Sequence, residues 1–155
     1  GVNHKKFQRR HGCADSPDAD KIPPAVMGMG KALYHAAAVM VSNQIVALAD
    51  MGTALLVKCG FSEAAAAEAL SPLLLGNAQS MAEKGAVNAL TGPIERGDAQ
   101  TVSKHLQEIR KFAAESTVGQ DILTAYTALS KQLIRIAQQK HPQKDYKHLE
   151  KELEQ

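Results

Sequence analysis

Residues 31–59, KALYHAAAVMVSNQIVALADMGTALLVKC, decide the fold. The run contains no proline and is rich in Ala and Leu, so it predicts one long helix from about Lys31 to Cys59. It holds most of the apolar residues of the first half of the chain, yet one face keeps a polar stripe. At 100° per residue, Lys31, His35 and Ser42 fall within about 40° of one another, with Asn43 at the edge of that arc. A helix destined only for a core has no need of such a stripe, which makes it the first lead to function.

The rest of the chain agrees with a helical reading. Three Phe, three Tyr and no Trp in 155 residues leave a sheet short of its usual residues, and the length suits a single domain with a sizeable core. The expected class is all-α, a bundle built around the long N-terminal helix. The formal charge of +2 is small, and Lys5, Lys6, Arg9 and Arg10 place +4 in the first twelve residues, leaving a net acidic remainder. That distribution predicts a basic arm without a basic globular face, and so no nucleic-acid partner. Cys13 and Cys59 have no CxxC spacing; a disulfide between them is one reading, but with no secretory signal they read better as free thiols in a reducing, cytoplasmic setting. His35, Ser42, Asn43, Gln44 and Asp50 interrupt the apolar run, so the sequence predicts no membrane span.

Residues 1–30 show no periodicity and collect Asp, Pro, Gly and basic residues, predicting an irregular arm or linker. Gly28-Met29-Gly30 lacks a preceding strand and a third glycine, so it is not a dinucleotide fingerprint. Gly60 is the expected stop of the long helix and Ser62 the cap of the next, with Glu63 in its first turn. Pro72 predicts a kink or break near Ser71, with Leu70, Leu73, Leu74 and Met81 facing the core and Gly85 ending the second piece. Asp98 is the expected cap of a helix whose Val102, Leu106, Ile109 and Phe112 recur at helical spacing. After a break at Thr117 or Gly119, a further helix presents Ile122, Leu123, Tyr126, Leu129, Leu133 and Ile136 on one side. Residues 145–155 carry four acids beside Lys147, His148 and Lys151, and residues 141–155 read as an exposed terminal helix or tail.

Two stretches could carry chemistry. On the first helix, Lys31, His35 and Ser42 form a line of donors suited to an anionic or carbonyl-bearing ligand; alternatively, Lys31 snorkels at the helix start and Ser42 bonds back to the carbonyl of Ala38. In the stretch ALTGPIERGD, Thr91, Arg96 and Asp98 offer a hydroxyl, a guanidinium and a carboxylate on a backbone pinned by Gly92, Pro93 and Gly97. The plain alternative there is an Arg96–Asp98 ion pair beside a helix cap, and His105 reads as a surface or packing residue. No HExxH, GxSxG, P-loop or Cys/His metal spacing is present, so no metal site is expected.

At KALYHAAAVMVSNQIVAL and ALTGPIERGDAQTVSKHL the sequence resembles the helical C-terminal domain of the family labelled domain of unknown function 2520. The resemblance covers about Lys31 to Lys140. In that family the helical domain follows an NAD(P)-binding Rossmann-like domain, and the whole is similar to 6-phosphogluconate dehydrogenase, pyrroline-5-carboxylate reductase and ketopantoate reductase. It implies a 6-phosphogluconate dehydrogenase C-terminal-like fold, a homodimer, and a helical dimerisation and substrate domain over residues 31–140. The implied site is Tyr34, His35, Ser42 and Asn43 from the first motif with Thr91, Gly92, Pro93, Arg96, Gly97 and Asp98 from the second. Lys31 and His35, one turn apart, stand where relatives place a catalytic pair, though the second residue differs. The expected substrate is a small anionic or carbonyl compound. No βαβ unit occurs in these 155 residues, so NAD(P) and its Rossmann-type domain are expected outside this chain, and the chain is expected to be inactive by itself.

Overall fold

The computed structural model describes residues 30–154. Among them there is no strand, and the helices are α1 (Gly30–Val41), α2 (Asn43–Lys58), α3 (Glu63–Ala89), α4 (Pro93–Arg96), α5 (Ala99–Glu115), α6 (Thr117–Lys140) and α7 (Lys147–Glu154). The class is all-α. The expectations for residues 1–29 lie outside the described residues. The chain divides into two compact units at Val46/Ala47, inside α2.

In the first unit the predicted single helix is interrupted at one residue. Ser42 keeps the helical bond from its N–H to the Ala38 carbonyl (3.1 Å) while its Oγ donates to the same oxygen at 2.7 Å. A hydroxyl competing for an i−4 carbonyl loosens the turn around it, and α2 restarts at Asn43. Gly30–Lys58 is by length and composition apolar enough to cross a bilayer, and none of that apolar stretch is buried. Length and composition alone do not make it a span, since the core helix of a soluble protein meets the same description, and the charge of Asp50 within the run counts against one.

The second unit holds the core. Ser116 ends α5 and caps α6, accepting from the Gly119 N–H at 3.0 Å, so the two helices fold back on each other across one residue. Gly119 is needed there, since a Cβ would lie 2.4 Å from the Phe112 carbonyl oxygen. Val102 and Leu106 of α5 meet Ile134 and Ala137 of α6, with Ile94 of α4 and Tyr146, Leu149 and Leu153 from the C-terminal end. The C-terminal segment is thus a core element and not a merely exposed helix. Its three apolar residues sit at spacings of three and four, while its charges stay in water.

α2 ends as expected. The Gly60 N–H donates to the Val57 carbonyl and the Phe61 N–H to that of Leu56, with Gly60 at φ 97°, a Schellman stop. Ser62 caps α3, accepting from the Ala65 N–H at 3.2 Å. α3 departs from expectation at Pro72, through which it continues, and meets it at Gly85, whose non-helical backbone (φ 73°, ψ 163°) kinks the chain where the piece was expected to end. Proline's fixed φ is helical, and the loss of one donor is tolerable on an exposed helix. Leu73, Leu74 and Met81 do not face a core but are exposed, whereas Ala66 and Ala89 are the buried residues of α3. Lys58 ties the end of α2 to α5 through an ion pair with Glu115 and a position over the Phe112 ring.

Candidate functional site

The second motif is a shaped loop. Gly92 (φ 98°) turns the chain into α4, Pro93 supplies its first residue, and Ile94 plugs into the core. At the other end Gly97 is left-handed (φ 72°). Its N–H donates to the Ile94 carbonyl at 3.0 Å and the Asp98 N–H to that of Pro93 at 2.8 Å, closing a second Schellman turn. Asp98 then caps α5, one carboxylate oxygen accepting from the Thr101 N–H (3.0 Å) and the other from its hydroxyl (2.7 Å). These bonds, chiefly the one from the Thr101 hydroxyl, hold the Asp98 carboxyl below its usual range; the nearby positive charge of Arg96 assists. Arg96 is exposed and forms no ion pair among the described residues, so the expected Arg96–Asp98 alternative survives only as a longer-range attraction.

The loop is held from the C-terminal side by residues that sequence reasoning passed over. The Lys140 ammonium donates to the Leu90 carbonyl at 2.8 Å, the Tyr146 hydroxyl to that of Glu95 at 2.9 Å, and the Lys144 ammonium to that of Arg96 at 2.6 Å. The last two acceptors are orphan carbonyls at the end of α4, which a helix of one turn cannot satisfy by itself. The Glu95 carboxylate meets His141 Nε2 at 2.6 Å and the Lys140 ammonium at 3.5 Å. The bond with His141 is the main cause that lowers the Glu95 pKa below its ordinary value, with Lys140 adding to it.

A cleft of about 350 Å³ opens beside this loop, within the second unit. Thr91 and Pro93 of the predicted site line it, together with apolar residues of α2, among them Leu48, Met51 and Leu55, and with Leu129 and Leu133 of α6. Its other polar lining comes from His105, Tyr126 and Ser130; no Lys, Arg, Asp or Glu lines it. His105 Nδ1 lies 3.0 Å from the Tyr126 hydroxyl, with the two rings edge to face at 86°. Burial raises the Tyr126 pKa, and hydrogen bonding with Ser130 offsets part of that rise. The Ser130 side chain is itself nearly fully buried. The signal for this cluster was present as the i, i+4 pair of Tyr126 and Ser130 inside an apolar stripe. Its partner His105 comes from another helix and has no local signal.

The first motif lies in the other compact unit. Lys31, Tyr34 and His35 are exposed on α1, with Lys31 and His35 one turn apart as expected; Ser42 and Asn43 are exposed at the α1/α2 junction. The Ser42 hydroxyl is 2.7 Å from the Ala38 carbonyl oxygen and 3.0 Å from Asn43 Oδ1, so its proton serves the helix, as the structural alternative foresaw. Gly92, Gly97 and Asp98 shape the loop, and Arg96 stands outside the cleft lining.

Among the described residues no group of three His, Cys, Asp or Glu could hold a metal ion. No curated protein and no solved structure matches the chain. A family model does match, over residues 21–133, more than two thirds of the sequence and including both motifs: the chain belongs to the family described as Domain of unknown function (DUF2520).

Proposed function

We propose that residues 31–140 form a helical dimerisation and substrate-binding domain of an NAD(P)-dependent oxidoreductase-like protein with a 6-phosphogluconate dehydrogenase C-terminal-like fold, working in the cytoplasm as a homodimer. The observation that carries the dimer is the apolar surface left in water: α2 has no fully buried residue, and on α3 Leu73 and Leu75 are 63% and 68% exposed. Surfaces of this kind mark association sites. The cleft beside the second motif supports the substrate-binding half, being concave, mostly apolar and provided with a few convergent polar groups.

In this reading the cofactor is held outside these helices. Lys31 or His35 acts as general acid or base at the substrate, and Arg96 anchors a negatively charged group. Replacing Lys31 and His35 by Ala in a full-length relative then abolishes turnover while leaving folding intact, and unchanged turnover removes that assignment. Replacing Leu73 and Leu75 by Glu converts the dimer to a monomer without loss of helix content. A dimer that persists would show that α3 is not the contact.

A second reading is a free-standing dimeric module that binds a small ligand or a partner protein without catalysis. The His105–Tyr126–Ser130 cluster favours it, because the cleft has its own polar groups without the first motif. Flotation with liposomes tests either reading against insertion of Gly30–Lys58 into a bilayer, which would carry the chain to the lipid fraction.

A further inference from the structure

We propose that the cleft between α2, the Thr91–Ile94 loop and α6 binds an uncharged, mainly apolar molecule bearing one oxygen acceptor, held by the Tyr126 hydroxyl. This rests on the substrate-binding half of the proposal above and changes its chemistry, since the ligand expected from the motifs was anionic or carbonyl-bearing. A carboxylate or phosphate in this cleft would lose its hydration and meet no cation, because no Lys or Arg lines the space. That cost is several kcal/mol for an unpaired ion. An apolar body has no such cost against Leu48, Met51, Leu55 and Leu133.

The polar end is set by three side chains. With a proton on Nδ1, His105 donates to the Tyr126 oxygen 3.0 Å away, and the phenolic O–H is then free to donate. Ser130, 3% exposed, lines the same cleft one helical turn from Tyr126, so the hydroxyl held by His105 sits at the edge of an apolar space. Tyr126 is a phenol and so a protonated donor at neutral pH, and burial, which raises its pKa, acts in the same direction. A carbonyl oxygen on an otherwise apolar ligand is what such a donor recognises. At about 350 Å³ the space lies at the small end of ordinary ligand clefts, which run from about 300 to 1,000 Å³.

The test uses three naphthalenes of equal body, titrated into the full chain by calorimetry: 2-acetylnaphthalene, 2-ethylnaphthalene and 2-naphthoate. The ketone binds, and the carboxylate binds at least tenfold more weakly. Tyr126→Phe lowers ketone affinity about three- to tenfold, the loss of one hydrogen bond, and leaves the hydrocarbon unchanged. His105→Ala, at an exposed position, gives the same pattern should Tyr126→Phe fail to fold. Naphthoate binding as tightly as the ketone, no binding of the ketone, or variants that weaken ketone and hydrocarbon equally would each overturn the proposal. The solution mass of the same samples keeps the two readings apart: a dimer that ignores the ketone overturns the ligand alone, and a monomer that binds it overturns the dimer alone.

Discussion

Replacing Tyr146 by Phe isolates the contribution of the C-terminal segment to the second motif. The ring is 2% exposed and stays so in the variant, so no apolar burial is lost. What goes is the hydroxyl that donates to the Glu95 carbonyl at 2.9 Å, leaving that oxygen with the Lys144 ammonium at 3.5 Å. A buried hydrogen bond contributes about 1 kcal/mol net, and an acceptor left poorly partnered raises the loss toward about 2 kcal/mol. For a domain of this size that corresponds to about 3–6 °C in Tm. Urea unfolding at neutral pH should show the lower midpoint with an unchanged slope, since the surface exposed on unfolding is the same. Amide exchange should quicken at Gly97 and Asp98, whose N–H groups close the loop turn, and less in the middle of α5. A stability change under about 0.3 kcal/mol with unaltered exchange at those two amides would refute the idea that this segment holds the loop.

Three further perturbations follow from the same contacts. Leu149→Ala, at a position 1% exposed, should cost about 2–5 kcal/mol by urea unfolding, whereas an exposed tail would lose almost nothing. Gly119→Ala should destabilise by about 3 kcal/mol or more and open the α5–α6 corner, because its Cβ would strike the Phe112 backbone; a near-neutral thermal midpoint would contradict that packing. Glu95 and Asp98 have folded-state pKa values below their ordinary 4.5 and 3.8, so the unfolded chain takes up their protons first as pH falls. The stability they contribute is complete above those ordinary values and is lost as pH drops through the lower folded ones. Urea midpoints should therefore fall below about pH 4.5, less steeply in Glu95→Gln, and parallel profiles would remove Glu95 from the account.

Local signals carried the sequence reading where structure is decided locally. Ser62 and Asp98 cap α3 and α5, Gly60 and Gly97 stop the helices before them, and Val102, Leu106 and Ile109 face the core as their spacing predicts. Errors arose where distant parts of the chain decide. Pro72 looked like a break, but a helix end needs something to replace it, and α3 continues instead to Gly85. On α6 the predicted stripe lies mostly against the cleft, which Ile122, Tyr126, Leu129 and Leu133 line, while the core is entered by Ile134 and Ala137, which the stripe did not include. Tyr146, Leu149 and Leu153 looked too few among charges to matter, yet three residues at helical spacing suffice when α5 and α6 supply the facing surface. The loop of the second motif could be read from its glycines and proline. The residues that hold it, Lys140, His141, Lys144 and Tyr146, lie about fifty residues away and had no local signature.

The central claim is that the apolar surface of α2 and α3 is covered by a second copy of the chain. Light scattering on the purified protein over a range of concentrations measures this directly. The account predicts a mass of two chains, near twice 16.6 kDa, that does not change on dilution. A stable mass of one chain, with the helix content intact, would contradict it.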